Sequence, residues 1–204
     1  MKKFDRLAPE LRRQEIREAA LRLFNQKGFA ATTMENIVSE VSLSKGGVYR
    51  LYPSTTAILA DLMIEGMHLR NAYYESRVRS ELAEGGELTL PFLVDMIGDS
   101  LLLYPDFSGV YVEFLWEKRR NPELEQLYEQ ICRTTVSETA VLIERYGAQP
   151  LLDGTDAMKL VTELMNAAVL ILHVLDLRDF FTARKSAISA AILSLLASAD
   201  TDRI

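Results

Sequence analysis

The sequence predicts an all-α protein of about nine helices. Three observations carry that prediction. Apolar residues recur at spacings of three and four along most of the chain. Capping residues, prolines and glycines interrupt that pattern at helix-length intervals. No stretch alternates apolar and polar residues as a half-buried strand would.

Each element follows from its own signals. Pro9 suits a first helical position, Leu11, Ile16, Ala19, Ala20, Leu23 and Phe24 continue at helical spacing, and Gly28 follows as a C-terminal glycine, giving a helix over about 9–27. Thr32 with Glu35 three residues on reads as a capping box opening a short helix that ends near Val41. Ser44 caps another short helix ending near Leu51. Pro53 stops it and Ser54 caps the next. That fourth helix ends at Gly85-Gly86, a fifth starts at Pro91, and the region of Pro105 separates it from a sixth. Asn121-Pro122 opens a seventh helix running to Gly147. Pro150, Asp153 and Gly154 precede an apolar eighth helix over about 156–177, and the Arg178-Asp179 corner leads to a ninth over about 180–198.

Composition narrows the function classes. The single cysteine, Cys132, excludes an internal disulfide framework, and with two histidines, His68 and His173, the chain offers neither a nucleophile–base pair nor a carboxylate–histidine metal set. We expect no enzyme, no metal and no cofactor. The nearly apolar run Leu164–Leu175 contains Asn166 and His173 and is too short to span a bilayer. The start of the chain lacks the apolar core of a secretory signal, so a cytoplasmic protein with no membrane partner is expected.

Net charge is −6, which taken alone argues against nucleic acid. Its distribution argues otherwise. From Met1 to Tyr52 there are ten basic and six acidic residues, a balance of +4, which leaves −10 for the remainder. A basic quarter joined to an acidic body suggests two tasks in one chain.

The second and third helices fit a helix-turn-helix, with the first packed behind them. Ile37, Val38, Val41, Leu43 and Val48 supply its small core together with Leu23 and Phe24. The third helix, Ser44 to Tyr52, has a minimal apolar face, and its other face offers Lys45, Tyr49 and Arg50 with no acid between Val41 and Tyr52. Two glycines in so short a helix each cost ~1 kcal/mol relative to alanine. Close approach of the backbone to another surface is one reason to keep Gly46 and Gly47; a loop before a later helix start is the other reading. DNA is such a surface, and a helix N-terminus favours phosphate. Tyr49 is either a contact of this kind or part of the head's core.

From Arg12 to Leu59 the chain resembles the N-terminal domain of the tetracycline-repressor family of bacterial transcription regulators. The resemblance rests on Ile16, Ala19-Ala20, Leu23-Phe24, Gly28-Phe29, Thr32-Thr33, Ile37, Leu43-Ser44, Gly46, Val48-Tyr49, Tyr52 and Ser54, all at fixed spacing. It implies a homodimer whose DNA-binding head, residues 1–53, is followed by a ligand-binding and dimerisation domain, residues 54–204. It further implies that Thr33 contacts phosphate and that Lys45, Gly46 and Tyr49 face the major groove and its backbone. Arg50 would reach a base edge or phosphate. Ser44 would cap its helix and touch phosphate. Two departures bear on affinity. Ser42 stands where the family usually has glycine, and a positive φ would strain it. Thr55 stands where the family usually has lysine, reducing a phosphate contact to a neutral hydrogen bond that Arg50, Lys2, Lys3 and Arg6 would offset.

The acidic body is expected to dimerise and to sense. The eighth helix is apolar nearly all round. In the ninth, Ala183, Ala187, Ala190, Ala191, Ser194 and Ala197 alternate with Ile188, Ile192, Leu195 and Leu196. Pairing of both with their copies, over about 156–198, buries these faces in a four-helix bundle. Candidate effector contacts are the polar and aromatic groups on apolar faces: Phe92 and Met96, Tyr111, Glu113 and Trp116, and Asn166 with His173. The same residues have plainer readings, with Glu113 solvated, Trp116 and Met96 in the core, and His173 at the dimer seam. The expected function is a ligand-responsive regulator, a repressor that binds a pseudo-palindromic duplex operator as a dimer and is released by a small-molecule effector. A helical adaptor or co-regulator with weakened DNA binding is the alternative.

Overall fold

The computed structural model describes residues 4–145 and 155–201. Ten α-helices occur among them: α1 (Phe4–Lys27), α2 (Met34–Ser39), α3 (Lys45–Leu51), α4 (Thr55–Ala83), α5 (Leu90–Leu103), α6 (Pro105–Glu117), α7 (Pro122–Arg145), α8 (Thr155–Val174), α9 (Arg178–Ala183) and α10 (Lys185–Thr201). No strand occurs among the described residues, so the chain is all-α as the sequence predicts. None of these helices is long and apolar enough to cross a membrane. Lys2, Lys3, Gly147, Pro150, Asp153 and Gly154, and the side chains of Arg6, Leu195, Leu196 and Ala197, lie outside the described residues.

Three sequence expectations change. First, α1 starts at Phe4, with Pro9 inside it. Proline forfeits one backbone hydrogen bond, here close to the helix end, and its fixed φ is itself helical, so the helix extends past it. Second, the capping box of α2 is Thr33 with Asn36, not Thr32 with Glu35. Thr33 Oγ1 accepts from the Asn36 backbone N–H at 3.2 Å, and Asn36 Oδ1 accepts from the Thr33 N–H at 3.1 Å. Thr32 is buried, and its hydroxyl donates to the Gly28 carbonyl at 2.8 Å, which removes it from capping. Third, the expected last helix is two, α9 and α10, separated at Arg184. Thr182 Oγ1 donates back to the Arg178 carbonyl at 2.9 Å just before the break.

The remaining boundaries follow their local chemistry. Gly28 and Gly85 both adopt φ +81°, the left-handed conformation that closes α1 and α4 at no Cβ cost. Ser54 caps α4, accepting from the Ala57 N–H at 3.2 Å. Thr89 caps α5 and Asn121 caps α7.

The chain divides into two compact units. One comprises residues up to Gly66 with Asp106–Glu129, and the other Met67–Pro105 with Gln130 onward. α4 therefore contributes Thr55 to Gly66 to the first unit and Met67 to Ala83 to the second. In the first unit Ile16, Ala19, Ala20, Phe24, Ile37, Val48, Ile58, Leu59, Val110 and Phe114 are fully buried. The second unit has a core of Tyr74, Val78, Leu88, Leu93 and Met96. α10 packs along α5 there, with Lys185 Nζ bonded to Asp95 at 2.8 Å and Asp99 at 2.5 Å.

Candidate nucleic-acid interface

α3 is seven residues long and needs help from outside itself to hold its shape. Its N-cap is Ser44, whose Oγ accepts from the Gly47 N–H at 3.2 Å. Val48 points inward and is fully buried. Tyr52, which ends the helix, is buried too, and its hydroxyl bonds Asp61. Burial and this carboxylate push the Tyr52 phenol above its ordinary pKa. Arg13 donates to the Leu51 carbonyl at 3.3 Å and lies 5.1 Å from the Tyr52 ring centroid.

Arg17 completes the frame. Its guanidinium reaches Glu10 at 2.9 Å, Asp61 at 3.1 Å and Glu65 at 2.7 Å, tying α1 to the first half of α4. Against the cost of burial, the hydrogen bonds to Glu10 and Tyr52 and the charge of Glu65 hold the guanidinium protonated.

The turn between α2 and α3 is held by a carboxylate. Glu15 accepts from the Ser42 backbone N–H at 2.5 Å and from its hydroxyl at 3.0 Å. The backbone hydrogen bond, then the hydroxyl, keeps the Glu15 carboxyl below the usual carboxylate range. Among the described residues Asp176 alone of the non-glycines has a positive φ, so Ser42 carries no such strain. The positive φ that would have strained serine here does not occur, and the Ser42 hydroxyl gives Glu15 a second donor that glycine lacks.

On this frame Lys45, Gly46, Tyr49 and Arg50 are all exposed, Tyr49 at 36%. Tyr49 is not part of the head's core. A Cβ built on Gly46 meets nothing within 4 Å, whereas one on Gly47 comes 3.3 Å from Ser44 Oγ. The protein's own packing therefore crowds a side chain at Gly47 and leaves one unopposed at Gly46. Lys45 Nζ bonds Glu35 at 3.0 Å, and Tyr49 donates to the same carboxylate oxygen at 3.2 Å. Arg50 has no carboxylate partner among the described residues. Thr33 and Ser44 are exposed caps whose oxygens accept backbone N–H groups, which leaves each hydroxyl proton free to donate outward. Thr55 is the half-buried first residue of α4.

The seven candidate effector contacts divide between the units. In the first, Glu113 on α6 accepts from the Phe29 backbone N–H at 3.2 Å. Tyr111 stacks near Phe114, their centroids 5.9 Å apart. Trp116 is 56% exposed with the Arg119 guanidinium 5.2 Å from its ring centroid. In the second, Met96 is in the core and Phe92 packs against that core with the Arg77 guanidinium over its ring. Asn166 is half-buried, its amide 3.4 Å from Glu163, and His173 is exposed. A cleft of about 410 Å³ in the second unit is lined instead by His68, Asn71, Tyr74 and Glu75 of α4 and by Glu138 and Arg145 of α7. His68, Asn71 and Glu75 recur at helical spacing along one face of α4, but such a mixed polar face does not stand out in sequence from the other solvated faces of two long helices. No group of three or more metal-ligating side chains occurs among the described residues.

Residues 16–62 match the sequence pattern of the bacterial regulatory proteins of the tetR family. The uncharacterized HTH-type transcriptional regulator YfiR of Bacillus subtilis (strain 168) is 41% identical over 122 residues, 58% of this chain and 57% of that protein. The chain thus spans little more than half the length of this curated relative. Among solved structures, Salmonella enterica GusR superposes with a TM-score of 0.68 at 18% identity, covering 91% of this chain and 93% of GusR. A transcriptional regulator from Saccharomonospora viridis, crystallised in complex with choline, has a TM-score of 0.57 at 22% identity, covering 79% of this chain and 83% of that one. At such identities the superpositions speak for the fold alone.

Proposed function

Since the chain belongs to the tetR family of bacterial regulatory proteins, we propose that it is a ligand-responsive, DNA-binding transcription regulator, a cytoplasmic repressor released from its operator by a small molecule. The observation that carries the DNA-binding part is Gly46. It sits among exposed Lys45, Tyr49 and Arg50, costs helix stability, and answers to no internal contact. An external surface that must come close to the backbone accounts for it. Thr33, Ser44 and Thr55 then offer neutral donors to phosphates, Lys45 and Arg50 offer charge, and base edges are read from α3.

Dimerisation follows from α8. Leu164, Leu170, Ile171 and Val174 are exposed, the last at 65%, as are Leu175 and Phe180 just beyond. So large an apolar surface calls for a partner. A second copy is the partner we assign, with α10 adding the exposed small residues Ala187, Ala190, Ala191 and Ser194. The two recognition helices then read half-sites about 34–36 Å apart, or a multiple of that.

For the effector we assign the cleft between α4 and α7. A ligand that binds the cleft more tightly in the DNA-free arrangement shifts the dimer away from its operator. That a regulator of this fold has been crystallised with choline supports a small organic molecule as the class of effector.

A gel shift on the DNA flanking the protein's own gene, at two salt concentrations, tests the reading. The expected result is a shifted band at low salt that weakens steeply at high salt. No shift on any such fragment at low salt sinks it.

A further inference from the structure

Glu35 has no capping task, because Thr33 and Asn36 form the box by themselves. Its side chain reaches across to α3 instead. There one carboxylate oxygen accepts from Lys45 Nζ at 3.0 Å and from the Tyr49 hydroxyl at 3.2 Å, while the Lys45 ammonium lies 5.6 Å from the centre of the Tyr49 ring. All three residues are exposed. The side-chain hydrogen bond from Lys45 is the largest influence holding Glu35 below the usual carboxylate range, so the carboxylate stays ionised at neutral pH.

An ammonium and a phenol hydroxyl aimed at one anionic oxygen are also the donor set that takes a phosphate oxygen. While Glu35 holds Lys45, the lysine's charge is partly neutralised, and a phosphate brought beside the intact pair meets a like charge. We propose that Glu35 is a specificity-determining gate: its carboxylate stands in for a DNA phosphate on Lys45 and Tyr49, and only a duplex register that offers both donors better partners opens it. The gate rests on the DNA-binding function proposed above and adds to it a built-in penalty on misaligned DNA. Such a repulsive element raises specificity by weakening the wrong complex rather than by strengthening the right one. Because the pair is exposed, the penalty is small, a factor of roughly two to five in nonspecific affinity.

The test is a fluorescence-anisotropy titration of two duplexes, one of random sequence and one from the DNA flanking the gene, over a series of salt concentrations. The proteins are wild type, Glu35→Gln, Lys45→Met and the double variant, each first confirmed as folded by its thermal melt. Glu35→Gln is expected to bind the random duplex roughly two- to five-fold more tightly at low salt. Its log K against log salt slope should steepen by about one unit. The gain should vanish in the Lys45→Met background. An unchanged or weakened affinity of Glu35→Gln for the random duplex overturns the gate, as does a gain that persists without Lys45. These results leave DNA binding by the wild type standing. Failure of the wild type to bind either duplex at low salt overturns the DNA-binding function itself, and the gate with it.

Discussion

Glu113 on α6 accepts the backbone N–H of Phe29 at 3.2 Å, across 84 positions of sequence. Phe29 follows Gly28, whose φ of +81° ends α1 and aims the next N–H out of the helix. The acid sets the approach of α6 to the end of α1 within the first unit, and Asn25 adds a bond to the Asp106 carbonyl at 3.0 Å. Removing the acceptor leaves a partly buried donor unpaired, which costs ~1–3 kcal/mol. Glu113→Ala should therefore lower the urea midpoint, and Glu113→Gln, which keeps an acceptor oxygen, should lower it less. Equal midpoints for the alanine variant and wild type contradict this role.

Glu15 and Ser42 give a pH prediction with a definite sign. The folded-state pKa of Glu15 lies below its ordinary value of 4.5, so the ionised form stabilises the fold. That contribution is fully present above the unfolded value and is lost as pH falls through the lower folded value. Urea midpoints of wild type and Glu15→Ala should differ at neutral pH and converge below pH 4.5. A difference that persists unchanged in acid means that the carboxylate charge is not what holds the turn.

The two glycines of α3 should respond differently to alanine. At Gly46 the added methyl meets open space, so Gly46→Ala should leave the melting temperature unchanged or raise it, by up to ~1 kcal/mol of helix propensity, while DNA binding falls. At Gly47 the methyl crowds Ser44 Oγ at 3.3 Å, and the cap must shift to admit it, offsetting the propensity gain. Thermal melts paired with anisotropy titrations separate the two. Undiminished DNA binding by Gly46→Ala removes the reason offered for that glycine.

The α8 face supplies a fourth prediction. Charge placed on its exposed apolar surface, as in Ile171→Glu or Val174→Lys, should leave the monomer folded and abolish the dimer, because both positions already face outward in the single chain. Light scattering coupled to gel filtration reads the mass. A wild-type monomer contradicts the proposed interface outright, and dimeric variants place it elsewhere.

The elements that sequence reveals are those whose causes are local. Ser44, Ser54, Asn121-Pro122, Gly28 and Gly85 each act within a few residues, and their helices begin or end where they stand. Adjacent threonines defeat the same logic: Thr32 and Thr33 each have a suitable residue three positions on, and only the burial of Thr32 decides between them. The exposed face of α3 was legible because it is a contiguous stretch without acids. Its partners were not. Glu15 meets Ser42 across 27 positions and Arg17 meets Asp61 across 44, and no periodicity encodes such pairs. Met96 and Phe92 show the limit from the other side, since helical spacing puts them on one face without telling a core from a pocket.

The central claim, a dimer reading DNA through α3, is tested most directly by footprinting the DNA that flanks the gene at low salt. The account predicts a protected segment containing an inverted repeat, with half-site centres about 10–10.5 base pairs apart or a multiple of that. It also predicts that Arg50→Ala, which removes an exposed cation with no carboxylate partner among the described residues, abolishes protection without unfolding the protein. Protection lacking two-fold symmetry, or none at any protein concentration, would contradict it.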